Sequence, residues 1–205
     1  MTTMIFAILP AAGKSVRMGR PKLLLPLGRR TVIERVIDTL ELAGIDRILV
    51  VMSPELPELA TVARAAGADV LVLAAQTEHM RETVQHGLDW IDQHWSPKAE
   101  DALLLVPADH PALDITAIAV LTVARMQHPQ FSIFIPTFEG KRGHPTLIGW
   151  QHVAAIRSLP ATEGLNTYLR QHPAETLEVA MVSASVLVDL DTPEEYEQMK
   201  QAYES

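Results

Sequence analysis

Three short stretches combine residue types and spacings suited to holding a nucleotide and its phosphates. The first runs Leu9-Pro10-Ala11-Ala12-Gly13-Lys14-Ser15-Val16-Arg17-Met18-Gly19-Arg20-Pro21-Lys22. Small residues at 11, 12 and 13 let a ligand approach the main chain, and free backbone N–H groups there can wrap a phosphate. Arg17 and Lys22 can add charge-assisted hydrogen bonds to the same phosphates. Such a loop serves as a plain turn nearly as often as a phosphate cradle. It is neither a Walker A loop nor a Rossmann fingerprint: Ile8 stands where the leading Walker glycine belongs, and Ala11 and Val16 replace two Rossmann glycines. The second stretch, Val106-Pro107-Ala108-Asp109-His110-Pro111, follows an apolar run. Its Asp109 is placed either to hold Mg²⁺ beside phosphates or to shape a turn. The third, Val188-Asp189-Leu190-Asp191-Thr192-Pro193-Glu194, offers two more carboxylates. It is also a helix start, and one of the two aspartates is expected to have only that role.

Charge and composition narrow the chemistry. Residues 1–33 hold six basic side chains (Lys14, Arg17, Arg20, Lys22, Arg29, Arg30) and no acid. All 25 acids and the other 11 Lys and Arg lie beyond, so a net −8 hides a remainder of −14. An acidic chain that keeps one acid-free basic loop is arranged to hold an anion locally, and its overall sign argues against nucleic acid as a partner. Lys14, Arg29 and Arg30 are weaker candidates, the last two as a solvated turn pair. The absence of cysteine excludes disulfides, zinc ribbons, iron–sulfur clusters and a thiol nucleophile. None of the eight histidines forms a His-Glu-x-x-His pattern. His110 reads as a turn residue, His86 and His94 as helix surface, and Trp90 and Trp95 as packing. No apolar run reaches the ~20 residues of a membrane helix. The opening Met1-Thr2-Thr3-Met4-Ile5-Phe6 does not read as a secretory signal, so a cytoplasmic location is expected.

The elements that must position these residues alternate along the chain. Apolar runs at 5–9, 47–52, 69–73 and 102–106 read as buried strands, the last as central. Strands are also expected at 132–136, 145–148, 177–182 and 186–190. Helical spacing runs from Thr31, capped by Glu34, to Gly44, and over 56–66, 80–93, 115–126, 151–157, 165–171 and 193–203. This alternation predicts one α/β domain over 1–205, a Rossmann-like, doubly wound, mostly parallel sheet. Ligands of such sheets bind beyond the C-terminal ends of the strands, where the first two loops lie.

Together the stretches resemble the nucleotidyltransferases of molybdenum-cofactor maturation, of the nucleotide-diphospho-sugar transferase-like fold. The first loop matches their Leu-Ala-Ala-Gly-x-Ser-x-Arg-Met-Gly-x-x-Lys pattern, with Pro10 in place of Leu. Asp109-His110-Pro111 is similar to their Asp-x-Pro metal loop, Gly143-His144-Pro145 to their substrate-side Gly-x-Pro, and Asp189-Leu190-Asp191-Thr192-Pro193-Glu194 to their C-terminal Asp-x-Asp-Thr-Pro-Glu. The resemblance implies transfer of a nucleoside monophosphate from an NTP to a phosphate-bearing acceptor such as molybdopterin, with release of pyrophosphate. Ala12, where the guanylyl branch has glycine, implies CTP over GTP.

The resemblance also implies roles. Ala11, Ala12, Gly13, Ser15 and Thr83 would hold the nucleotide. Arg17 would clamp its β- and γ-phosphates and Lys22 its α-phosphate. Asp109 with Asp189 or Asp191 would hold Mg²⁺, and Gly143, His144 and Pro145 would face the acceptor. A molybdoenzyme or its chaperone is the implied partner. The chain departs from the family where His79 and Thr83 replace Gly and Ser, and where Ala161–Asn166 lacks an Arg; both bear on the acceptor. Rival readings are another cytidylyl- or sugar-phosphate nucleotidyltransferase, such as the enzyme of methylerythritol phosphate, which also uses Pro-Ala-Ala-Gly, and a non-catalytic NTP-binding partner of a molybdoenzyme.

Overall fold

Alternation along the first strand decides what packs on each side. Ile5, Ala7, Leu9 and Ala11 face one apolar core, Phe6 and Ile8 the other. A strand covered on both faces needs such an unbroken apolar run. The computed structural model describes residues 3–13 and 16–204. Its strands are β1 (Ile5–Ala11), β2 (Pro26–Leu27), β3 (Arg30–Thr31), β4 (Arg47–Met52), β5 (Asp69–Val72), β6 (Ala102–Leu105), β7 (Ile133–Phe138), β8 (Lys141–Arg142), β9 (Thr146–Gly149) and β10 (Thr176–Ala180). Its α-helices are α1 (Val32–Leu42), α2 (Pro57–Ala65), α3 (Met80–Trp95), α4 (Ile115–Gln127), α5 (Val153–Arg157), α6 (Leu165–Gln171) and α7 (Pro193–Glu204).

The main sheet runs β10-β7-β9-β6-β1-β4-β5, with β8 paired to β7. The expected α/β fold with a mostly parallel sheet is therefore present. Strand β6 is central and wholly buried, and β9 is antiparallel to both β6 and β7. Helices α1, α2, α4 and α7 cover one face; α3, α5 and α6 cover the other. Helix α3 approaches closely at Gly87, where a Cβ would stand 2.9 Å from Val51 Cγ2. The Thr31–Glu34 capping box forms as the sequence requires. Trp95 stacks on Phe6 at 5.6 Å between centroids, a packing role. No described helix is long and apolar enough to cross a membrane.

One expected strand is absent. Residues 184–187 form a 3₁₀ turn, and the chain to 191 is irregular. Ser183 accepts a hydrogen bond from the Ser185 N–H, the local bonding that competes with a sheet ladder. Burial agrees: Val186 and Leu190 are enclosed while Val188, which a strand would place on their face, is exposed. The short β2–β3 ribbon escaped the sequence reading. It presents Arg30 to Glu34 and Asp38 on α1.

Helix α7 ties two loops together. The Tyr196 hydroxyl donates to Pro26 O and the Tyr203 hydroxyl to Pro111 O, each at 2.8 Å. Arg20 lies 4.9 Å over the Tyr196 ring.

On the opposite sheet face, Tyr168 O–H donates to His152 Nδ1 (2.8 Å), His152 Nε2 to Ser132 Oγ (2.7 Å), and Ser132 O–H to Glu175 (3.3 Å). Burial pushes the His152 imidazole below its ordinary value of 6.5, only partly countered by Glu175. The folded state thus favours the neutral ring. Its stabilisation is whole above the unfolded value and is lost as pH falls through the lowered folded value. We predict that His152→Asn costs about 1–3 kcal/mol near neutral pH. It should also lose less stability than wild type between about pH 7 and 5. Urea melts at both pH values test this, and equal pH slopes would rule out the role.

Candidate active site

Buried apolar residues anchor the basic loop and turn Lys22 toward the cleft. Ala12 is buried and Gly13 exposed. Lys14 and Ser15 lie outside the described residues. A 3₁₀ turn at Val16–Met18 buries Met18, and a second at Lys22–Leu24, opened by Pro21, buries Leu23. The second turn delivers Lys22 to a cleft of about 520 Å³ beyond the C-terminal ends of β1 and β6. Ala11, Ala12, Gly13, Arg17, Lys22, Asp109, Asp189, Asp191, His144 and Thr83 all line it.

Lys22 is the centre of this cleft. Its ammonium pairs with Asp109 and with Asp191 Oδ1 (3.0 Å), and donates to Leu190 O (2.9 Å). Only 14% of its side chain is exposed, against 71% for Arg17, which reaches Asp191 Oδ2 at 2.9 Å. Burial works against the Lys22 charge, but Asp109 and then Asp191 outweigh it and hold its pKa above the ordinary lysine value. Asp191 thus bridges two cations.

Asp189 is engaged differently. His110, fully buried, donates from Nδ1 to Asp189 Oδ1 at 2.9 Å. Burial pushes Asp189 up, but the His110 hydrogen bond together with the positive fields of His110, His144 and Lys22 keeps the carboxyl below its usual value. Neither aspartate caps α7. The cap is Thr192, whose hydroxyl accepts from Glu195 N while the Glu195 carboxylate accepts from Thr192 N and Asp191 N. The expectation that one aspartate serves only the helix start is corrected, because Thr192 and Glu195 satisfy the end between them.

Among the described residues, no three His, Asp or Glu side chains converge as a ready metal site. Asp109 and Asp191 nevertheless aim at one cation, and two carboxylates completed by phosphate oxygens and water are a fitting Mg²⁺ environment.

Residues 7–176 match the model of the MobA-like NTP transferase domain. This chain belongs to the MobA-like NTP transferase family. The nicotine blue oxidoreductase of Paenarthrobacter nicotinovorans is 26% identical over 93% of this chain and 94% of its own. A nucleotidyl transferase from Methanothermobacter thermautotroptrophicus shares the fold at a TM-score of 0.79 and 20% identity, over 98% of both chains. So does the Rv0371c protein of Mycobacterium tuberculosis H37Rv in complex with manganese, at a TM-score of 0.73 and 20% identity, over 98% of this chain and all of that one.

Within this MobA-like domain Gly143, His144 and Pro145, expected to face the acceptor, are placed differently. Gly143 and Pro145 are buried supports, and only His144 lines the cleft. Burial lowers the His144 pKa, with Asp189 opposing, and so favours the uncharged ring. The Ala161–Asn166 departure does not reach the described cleft lining, whereas His79 does. The sequence reading missed Thr77, whose hydroxyl meets that of Thr83 at 2.6 Å, and Gln76, whose amide donates to Ala12 O at 3.3 Å. Gln76 also lines an adjoining recess of about 390 Å³ with Ser53 and Glu55. Their signal was position: they follow β4 and β5, whose C-terminal ends face the same way as β1.

A Cβ at Gly143 would stand 2.2 Å from Val186 O, the carbonyl that accepts from His144 N at 2.8 Å. Gly143→Ala should therefore cost about 1–3 kcal/mol by overpacking. An unchanged urea midpoint would show that the 186–191 segment is not held by this contact.

Proposed function

We propose that this chain moves a nucleoside monophosphate, from CTP in preference to GTP, to a phosphate-bearing acceptor of the molybdopterin type. The observation that carries the reading is the convergence of Arg17 and Lys22 with Asp109 and Asp191 beside the small-residue loop. That is the charge pattern a Mg²⁺–triphosphate requires. The family membership supports NTP as substrate. Ala12 supports CTP, and the recess lined by Ser53, Glu55 and Gln76 is the place for the base.

In the reaction, an oxygen of the acceptor phosphate attacks the α-phosphorus. The bond from that phosphorus to the β-phosphate oxygen breaks, and pyrophosphate departs. An acceptor phosphate is already ionised at pH 7, so no base is needed. The chain positions and neutralises. Backbone groups at Ala11–Gly13, with Ser15 and Thr83, hold the nucleotide; Arg17 takes the β- and γ-phosphates; Lys22 meets charge growing at the α-phosphate. Asp109 and Asp191 would hold Mg²⁺, which would supply neutralisation of the phosphate charge. Asp189, with one oxygen committed to His110, orients the wall beside His144, which faces the acceptor between Gly143 and Pro145. The whole of 1–205 acts as one transferase domain. It works in the cytoplasm and passes its product to a molybdoenzyme or its chaperone.

Lys22→Ala and Asp109→Ala should each lower turnover about 10²-fold or more while the fold persists. Pyrophosphate release by the folded variants measures this, and near-wild-type rates would discard the assignment. In a thermal-shift panel with Mg²⁺, CTP should stabilise more than GTP, UTP or ATP, since stabilisation follows affinity. A larger shift with GTP overturns the base. A larger shift with NADH or NADPH than with any NTP moves the reading to redox chemistry, as the oxidoreductase name of one relative favours. NTP binding with no pyrophosphate release from any acceptor leaves a binding partner instead of an enzyme.

A further inference from the structure

We propose that the Lys22 ammonium is a built-in counter-cation: it stands between Asp109 and Asp191 and keeps a divalent ion off the nucleotide-free protein. The inference rests on the reading of those two carboxylates as the metal's ligands. The geometry is specific. Lys22 touches both carboxylates and the intervening Leu190 O, so three oxygens from two distant loops surround one positive atom. Arg17 adds a second positive group on the far oxygen of Asp191. An incoming divalent ion meets carboxylates that are already neutralised, and must sit beside an ammonium that repels it at close range.

A triphosphate changes the balance. Lysine carries its charge on a flexible four-carbon stem, and phosphate oxygens are strong acceptors for it. The Lys22 backbone stays fixed, because Leu23 is buried and the 3₁₀ turn is bonded from Leu24 N to Pro21 O and from Leu25 N to Lys22 O. Only the ammonium has to swing. Its departure to the phosphates frees both carboxylates in the same movement, so nucleotide and metal load together. A resting protein with a standing metal site would bind free divalent ions without substrate; this one is closed to them.

The test uses Mn²⁺ alone, with no nucleotide, titrated into the full chain and followed by the free-ion EPR signal. Lys22→Met and Lys22→Gln, each checked for an intact cooperative melt, should bind Mn²⁺ at least tenfold more tightly than wild type. Adding Asp109→Asn to either variant should abolish the gain. Equal Mn²⁺ affinity in wild type and in whichever Lys22 variant folds would overturn the proposal. So would a gain that survives Asp109→Asn, because the ion would then sit elsewhere. The nucleotide-panel result stands apart: if no NTP stabilises the protein, the transferase reading fails, while the Mn²⁺ comparison still reports on the ammonium.

Discussion

A single ion cluster joins parts of the chain that are far apart in sequence. Lys22 reaches 87 residues forward to Asp109 and 169 to Asp191. The pairings form only because β1 and β6 lie side by side in parallel, so that the loops leaving them emerge at one sheet end. A backbone hydrogen bond from Leu190 N to Asp109 O, 2.9 Å, then fixes the third segment against the second. Each contact is partly exposed and individually modest. Their value lies in fixing the mutual position of three segments that lie outside the sheet and the α-helices.

The charge layout acquires its meaning from this cluster. The acid-free opening of the chain supplies Arg17 and Lys22 to the cleft, and the acidic remainder supplies the carboxylates that meet them. Arg30, from the same opening, is directed instead to Glu34 and Asp38 on α1. Local basic density therefore marks the region, and the 3₁₀ turns select which of its charges face inward. Lys22 is drawn in by the buried Leu23 beside it, while Arg17 keeps most of its length in solvent.

Much of this was legible in the residues. Strands β1, β4 and β6 follow from unbroken apolar runs, and α1 from a capping box that forms as written. The site loops follow from their place after those strands. Segments with local bonding alternatives were read less well. The serine pair at 183 and 185 turns a β-like sequence into a 3₁₀ turn, and Thr192 with Glu195 relieves the aspartates of a capping duty that the sequence alone gives them. The distinction between Asp189 and Asp191 was unreadable, since it depends on His110, 79 residues away. Thr77 and Gln76 carry no motif and are set in the cleft by topology alone.

Helix α7 and the segment before it have a consequence for how the molecule comes into being. The ribosome releases Lys22 first, then Asp109, and Asp191 last of the three. Until Asp191 and Tyr196 emerge, the Lys22–Asp191 pair cannot form, and the Pro26 carbonyl lacks the Tyr196 hydroxyl. The cleft is therefore completed from the far side, after the sheet that frames it.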